Sequence, residues 1–461
     1  MTAAAVDQEG AGGISIADRL DRLSLSRLHI AVIVFCTLGL AVDIGEVALS
    51  NTFSAIFLSP PYSASRSEVA WLLAAVFAGG AIGAPIFGWW ADRNGRRAAL
   101  QLALALLVVS SLAVASSANI IWMTAFRFVS GLALGAYPPL TAAYLADVLP
   151  PQSRGRNMMF CGALAFLGAP AVIFLIRWLT PWAPFAIEGW RWALLVAAAV
   201  SATTASLFFC VPESPRWLAA LGRTDAAERT YRVFAASAQR PAEAFAETAA
   251  NPAAAIPRPT HDNGDRAIAA TPRSYRRAFL LAALYGLGPW ATIGFPLLSA
   301  AVMLQKGFRV SDSLLFAGIS MLGPTVGIGA LAIAVDRLER RLALILCAVT
   351  MTAFGLVFAV ATDLTALIAL GIGFNLASAA YSAVLSIYGA ELFPTRLRAL
   401  ATSAAWSLGR VVSALVPLVL LPVLSTEGPV AMFGIITAAL LISILLIFVG
   451  GPPGLTKKPV E

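Results

Sequence analysis

Four ionisable side chains stand inside long apolar stretches of this chain: Asp43, Glu46, Arg127 and Arg410. A charge in hydrocarbon is costly, so each is a functional candidate by default. Asp43 and Glu46 are three residues apart and share one helix face. Arg127 precedes Asp147 by twenty residues, which puts it at a depth similar to the acidic pair, so either carboxylate can meet it. A carboxylate that alternates between an apolar setting and an arginine neighbour alternates between holding and releasing a proton. Arg410 lies twelve residues beyond Arg398, about 18 Å along a helix and close to mid-membrane. A guanidinium there needs a carboxylate or a water-lined cavity, and it can hold a carboxylate by two parallel hydrogen bonds. Covalent chemistry has no comparable set: His29 and His261 are the only histidines, and no nucleophile-base pair or metal-ligand cluster accompanies them. An enzyme, a cofactor and a metal are therefore not expected.

The elements that hold these residues are membrane helices. Of 461 residues 59% are hydrophobic and 12% charged, and the mean hydropathy is +0.81. Apolar stretches long enough to span a bilayer lie near 28–50, 68–90, 98–117, 119–146, 157–177, 192–211, 277–302, 313–335, 342–361, 363–390, 400–423 and 428–450. Twelve spans in an all-α polytopic membrane protein follow, six on each side of a long polar segment. Basic residues such as Arg22, Arg93, Arg154, Arg216, Arg277, Arg341, Arg398 and Lys458 collect on one side, against Arg66, Arg177, Arg191, Lys306 and Arg309 on the other. That asymmetry predicts both termini in the cytoplasm. It also accounts for a net charge of +8 without a nucleic-acid partner.

The expected organisation is a tail with an amphipathic lead-in over 1–27, a six-helix half over 28–211, a linker over 212–276, a second half over 277–450 and a tail over 451–461. Residues 1–14 and 239–275 read as disordered or flexible, with a surface helix over 225–238. Met1–Gly13 is too polar for a cleavable signal. Cys36, Cys161, Cys210 and Cys347 form no close pair and read as packing residues.

Between the second and third spans, Gly88–Arg97 reads GWWADRNGRR, a short charged loop with Gly88, Asp92, Arg93, Gly95, Arg96 and Arg97. Its acid-base pair recurs as Asp336-Arg337, 244 positions on, and Tyr144, Asp147, Pro150 and Arg154 recur at the same offset as Tyr388, Glu391, Pro394 and Arg398. Two motifs at one offset indicate duplicated halves, a transporter feature. The loop pattern resembles the signature of the major facilitator superfamily. The string Pro212-Glu213-Ser214-Pro215-Arg216-Trp217-Leu218 resembles the signature after the sixth helix of sugar porters, and Arg410 with its following small residues and proline resembles the eleventh helix of aromatic-acid/proton symporters. The resemblance covers Leu28 to Gly451. It implies the major facilitator fold and an inner-end latch across the halves built from the loop residues with Asp147, Arg154, Glu213, Arg216, Asp336, Arg337, Glu391 and Arg398, while the buried charges themselves assign proton coupling to Asp43, Glu46 and Arg127. A bacterial inner-membrane location is implied as well.

Sugar porters present amides in the fifth and seventh helices. Here the seventh span has none and the fifth has only Asn157 at its mouth. The seventh is instead interrupted by Gly286, Gly288, Pro289, Gly294 and Pro296, a pointer to a binding site. Tyr137 and Tyr381, again 244 apart, are expected to face each other across the cavity. With Arg410, Trp290, Asn375 and Trp406 they suit a small aromatic or aliphatic carboxylate. The expectation is a monomeric, alternating-access proton symporter of an organic anion, with the lipid bilayer and protons as its other partners. A sugar/proton symporter and a drug or metabolite efflux antiporter are the alternatives, the latter weakened because Gly168-Ala169-Pro170 only faintly resembles the antiporter Gly-Pro motif.

Overall fold

The computed structural model describes residues 15–238, 272–334, 339–393 and 395–452. Most of the expected linker, the N-terminal stretch before Ser15, and Asp336 and Arg337 lie outside them, as does the side chain of Arg398. A short helix α1 (Ile16–Asp21) precedes the first half, which comprises α2 (Arg27–Phe57), α3 (Arg66–Asn94), α4 (Arg96–Ser116), α5 (Ile120–Val148), a fifth span divided into α6 (Pro151–Ala165) and α7 (Gly168–Leu179), and α8 (Gly189–Leu207). Helices α9 (Pro215–Ala220) and α10 (Thr224–Ser237) follow it. In the second half the seventh span is α11 (Pro272–Thr292) plus α12 (Gly294–Gln305), the eighth α13 (Val310–Ser320) plus α14 (Gly323–Ala334), then α15 (Arg340–Val360), α16 (Leu364–Glu391) and α17 (Thr395–Gly450).

Among the described residues, eleven helical stretches are long and apolar enough to cross a membrane, and the last covers 50 residues. Gly428 interrupts it at φ 86°, a left-handed conformation that glycine adopts without a Cβ clash. The bend divides α17 into the last two spans, so the expected twelve are present. Side-chain caps set several starts: Ser26 and Ser65 close capping boxes on α2 and α3, and Asp363 accepts from the Ala366 N–H at 2.8 Å.

Packing between spans depends on small residues, because lipid gives no hydrophobic drive for helix association. Helices α3 and α5 touch backbone to backbone: a Cβ on Gly79 would lie 2.1 Å from the Phe128 carbonyl oxygen, and one on Gly135 would lie 2.3 Å from the Gly80 Cα. Trp71, Trp122, Trp178 and Trp182 are exposed on the outside of the bundle.

Among the described residues, the side-chain hydrogen bonds that cross between the halves all lie at the end remote from the arginine-rich loops. Asn51 Nδ2 donates to Ser299 Oγ at 3.3 Å, Asn51 Oδ1 accepts from the Ala300 N–H at 3.1 Å, and Arg177 Nε donates to the Ser311 carbonyl at 3.2 Å. Phe174 also packs there against Gly318. Side-chain bonds between the halves gather at that end, helices α6 and α14 also meet across the halves, and a central cavity lies between them.

Candidate substrate cavity and gates

The cavity measures about 530 Å³ and is walled by both halves. Its construction follows from the broken spans. Pro289 sits inside α11, and the path turns at Ile293 before α12 begins; Gly288 and Pro289 therefore reach the lining. A proline cannot donate to the helix ladder, which is why such breaks gather where backbone faces a cavity rather than lipid. On the facing half Pro138 and Thr141 of α5 line the same space.

Two charges look into it from opposite halves. Asp43 on α2 is 5% exposed, and its Oδ1 has no hydrogen-bond partner. Arg410 on α17 lines the opposite wall. Its guanidinium lies 5.0 Å from the centre of the Trp406 ring, and it makes no hydrogen bond or ion pair among the described residues. Trp406, 37% exposed in the cavity wall, meets Tyr285 edge-on at 6.4 Å. Tyr381 and Asn375 of α16 complete that side, with Asn375 Nδ2 donating to the Ser320 carbonyl at 3.2 Å.

The three residues expected to act together are divided. Arg127 donates to Glu46 Oε2 at 2.7 Å, to the Glu46 carbonyl at 3.0 Å and to Ser50 Oγ at 2.8 Å. Ser111 Oγ donates to Glu46 Oε1 at 2.6 Å. Both ionic side chains have 0% exposure, and neither lines the cavity. Glu46 thus takes the partner that sequence depth left open between two acids, while Asp43 turns to the cavity.

Two expected cavity aromatics stand elsewhere. Tyr137 is buried behind the lining, its hydroxyl so close to α2 that a Cβ on Gly39 would lie 1.9 Å from it. It does not face Tyr381 across open space. Trp290 packs half-buried against the core instead of lining the cavity. Conversely, Thr141 and Tyr285 line the cavity although sequence reasoning did not select them; a single tyrosine or threonine in an apolar run carries no signal of its direction.

At the basic end the expected charged loop is almost entirely helical. Helix α3 continues through Gly88, Asp92 and Arg93 to Asn94, and only Gly95, at φ 113°, separates it from α4. Arg96 Nη1 donates to Asp92 at 2.6 Å and its Nε lies 3.9 Å from Asp147. Arg93 stacks on Trp89, 3.8 Å from the ring centre. The Glu213 carboxylate accepts the backbone N–H of Arg97 at 3.0 and 3.1 Å, and Arg97 Nη1 donates to the Val211 carbonyl at 2.9 Å. An anion there satisfies the free N–H groups of the α4 N-terminus. Asp21 of α1 pairs with Arg216 and, at 3.5 Å, with Arg154. In the second half Arg340 Nε bonds Glu391 at 3.3 Å. The described members of the expected cross-half latch are thus bonded within their own halves. Asp21 was not selected from sequence; its only signal was a place in the amphipathic lead-in.

The family model described as Sugar (and other) transporter matches residues 30–454. The chain is 24% identical over 452 residues to the inner membrane metabolite transport protein YdjE of Escherichia coli (strain K12), with 95% of each chain covered. It is 32% identical over 210 residues to the gallate transporter of Pseudomonas putida, 45% of each. It is 30% identical over 174 residues to the arabinose-proton symporter of Bacillus subtilis (strain 168), 37% of this chain and 38% of that one. Among solved structures it resembles the xylose transporter XylE from E. coli in a partially occluded, inward-open conformation, with TM-score 0.71 and 18% identity over 94% of this chain and 100% of that chain. At that identity the likeness is one of fold.

Proposed function

This chain belongs to the sugar (and other) transporter family, and from that premise we propose that it carries a small organic carboxylate across the membrane together with a proton. The observation that supports this most is Arg410: a guanidinium at the cavity wall with no bonded partner among the described residues. A cation in largely apolar surroundings is stabilised by an anion that enters, and its planar fork matches a carboxylate. In this reading Arg410 anchors the carboxylate, Trp406, Tyr381 and Tyr285 flank its apolar body, and Asn375 offers an amide. Tyr137 and Trp290 shape the wall from behind. Asp43 holds the co-transported proton, and the Glu46–Arg127 pair fixes the helix that presents it.

Transport proceeds by alternating access in a monomer, with the basic end toward the cytoplasm, as the excess of arginine there favours. Both termini are then cytoplasmic, in a bacterial inner membrane. When the basic end closes, Arg154, Arg216 and Glu391 exchange their partners within each half for partners across the seam. Exposed pairs contribute below about 1 kcal/mol each, so such an exchange is reversible.

The gallate transporter among the relatives supports the carboxylate reading, gallate being an aromatic carboxylate. A second reading, sugar/proton symport, is favoured by the arabinose-proton symporter and by the Pro212–Leu218 string. Against it, Asn375 is the one amide among the described residues that line the cavity. The deciding experiment is uptake into proteoliposomes under a pH gradient, with labelled aromatic and aliphatic carboxylates beside pentoses and hexoses, and Arg410→Ala in parallel. Accumulation of a carboxylate only with acid outside, lost in the variant, is the expected result. Accumulation of a sugar with Arg410→Ala unaffected overturns it.

A further inference from the structure

The segment before the first span is fastened more closely than an interfacial lead-in requires. Helix α1 has only six residues, too few to hold a helix in water unaided, and other elements hold it. Leu20 and Leu23 are buried, Arg19 forks onto Glu228 and stands 4.1 Å from the centre of the Tyr231 ring, and Ser24 Oγ donates to the Ala238 carbonyl at 3.3 Å. Those contacts tie α1 to α10. Asp21, its last residue, reaches two more elements at once: its carboxylate pairs with Arg216 of α9 and, at 3.5 Å, with Arg154 of α6. We propose that α1 is a strap on the transport cycle: Asp21 keeps Arg154 and Arg216 on the first half and so opposes the cross-half pairing that closes the basic end. This rests on the alternating-access reading.

An element biases a two-state balance only through contacts that differ between the states. The Asp21 pairs are of that kind, because a guanidinium turned toward α1 must leave it to meet an acid of the other half. Helix α6, which carries Arg154, meets α14 of the second half, so the strapped arginine belongs to a helix already at the seam. Arg154 also gives Nε and Nη2 to the Leu149 carbonyl, at 3.2 and 3.0 Å, which commits its fork further to its own half. Arg216 Nε is buried without a hydrogen-bond partner among the described residues, and so is Glu391 Oε2 on the second half. A donor and an acceptor left unmade inside the protein each favour a rearrangement that supplies a partner. Asp21 and the acids of the second half therefore compete for the same two guanidinium groups. The Asp21 pairs are partly exposed and weak singly, as contacts that release in every cycle must be.

The test is the rate at which single cysteines react with a water-soluble maleimide in the purified, otherwise cysteine-free protein. Ala142→Cys, in the cavity wall toward the basic end of α5, reports on that end; Ala300→Cys, buried at the far seam, reports on the other. Asp21→Ala is expected to slow the first and speed the second, each by about three- to tenfold. Asp21→Glu keeps the charge and should stay near the parental rates, which a merely structural role for the aspartate shape would not produce. Should Asp21→Ala fail to fold, Arg19→Gln serves: it cuts α1 from Glu228, leaves Asp21 in place, and should move both rates in the same directions. Rates in Asp21→Ala equal to the parental ones at both positions overturn the strap and leave alternating access standing. Rates that rise together at both positions overturn both, because the two ends would then open independently.

Discussion

Asp43 and Glu46 differ by three positions, which on a helix of 3.6 residues per turn is an angular separation of about 60°. That is enough for one carboxylate to face the cavity and the other to face α4 and α5, where Ser111 and Arg127 wait. The sequence therefore made the depth of all three charges legible, and their membership of the interior, but not which acid met the arginine. The structural division predicts two distinct phenotypes. Glu46→Gln removes one partner of a fully buried ion pair and leaves Arg127 charged, a loss of about 3–5 kcal/mol in stability; detergent-purified protein should melt well below the parent. Replacing both Glu46 and Arg127 with leucine should cost less than the single change. Asp43→Asn removes no ion pair within 4 Å, so its melting temperature should stay near the parental one. In proteoliposomes, however, it should lose proton-driven accumulation while keeping substrate exchange, and retention of accumulation would remove Asp43 from the coupling role.

The two basic-end motifs illustrate what spacing alone cannot convey. Gly88–Arg97 and Pro212–Leu218 were each recognisable as strings, yet nothing in the residue order says that Glu213 seats its carboxylate over Gly95 and accepts the N–H of Arg97. The contact joins segments more than a hundred positions apart and depends on a φ of 113° at Gly95. Glu213→Ala uncovers the N-terminus of α4 and should cost about 0.5–2 kcal/mol, the range of a lost helix cap. Gly95→Ala should be at least as damaging, because its Cβ would meet Glu213 Oε2 at 2.2 Å and the conformation disfavours any side chain. Thermal melting of both variants measures this; a Gly95→Ala protein as stable as its parent would rule out the seat. Helix α1 is fastened in a similar way, by Arg19 bonded twice to Glu228 at 2.8 and 3.1 Å. The Arg19 hydrogen bond, opposed by partial burial, holds the Glu228 carboxyl below its usual range. A depressed carboxyl contributes above its unfolded pKa and loses that contribution as pH falls through the folded value. This contribution to α1 docking should thus persist through neutral and mildly acidic conditions and weaken only as pH falls below the usual carboxylate range, which proteolytic cleavage near Arg19 across a pH series would reveal.

At the scale of the whole molecule, duplication was plain from the shared offset of 244 positions, and with it two halves around one cavity. Which end is open was not legible, since one sequence must serve every state of the cycle and local patterns are the same in each. The structure captures the state in which hydrogen bonds across the halves gather at the far end, chiefly on Asn51, which bonds Ser299 and the Ala300 N–H. Asn51 is 1% exposed, so its two bonds are made away from water, each with a net contribution of about 1 kcal/mol. They must break whenever that end opens. Asn51→Leu should therefore shift the balance toward the far-open state by a factor of about 5–30, without touching Asp43 or Arg410. Ala300→Cys, which keeps the backbone N–H that Asn51 accepts, reports on it: in an otherwise cysteine-free background, it should react with a membrane-impermeant maleimide faster in the Asn51→Leu protein than in its parent. Equal labelling would mean that the far end is held by helix packing, with Phe174 against Gly318 carrying the closure and Asn51 only filling a polar gap.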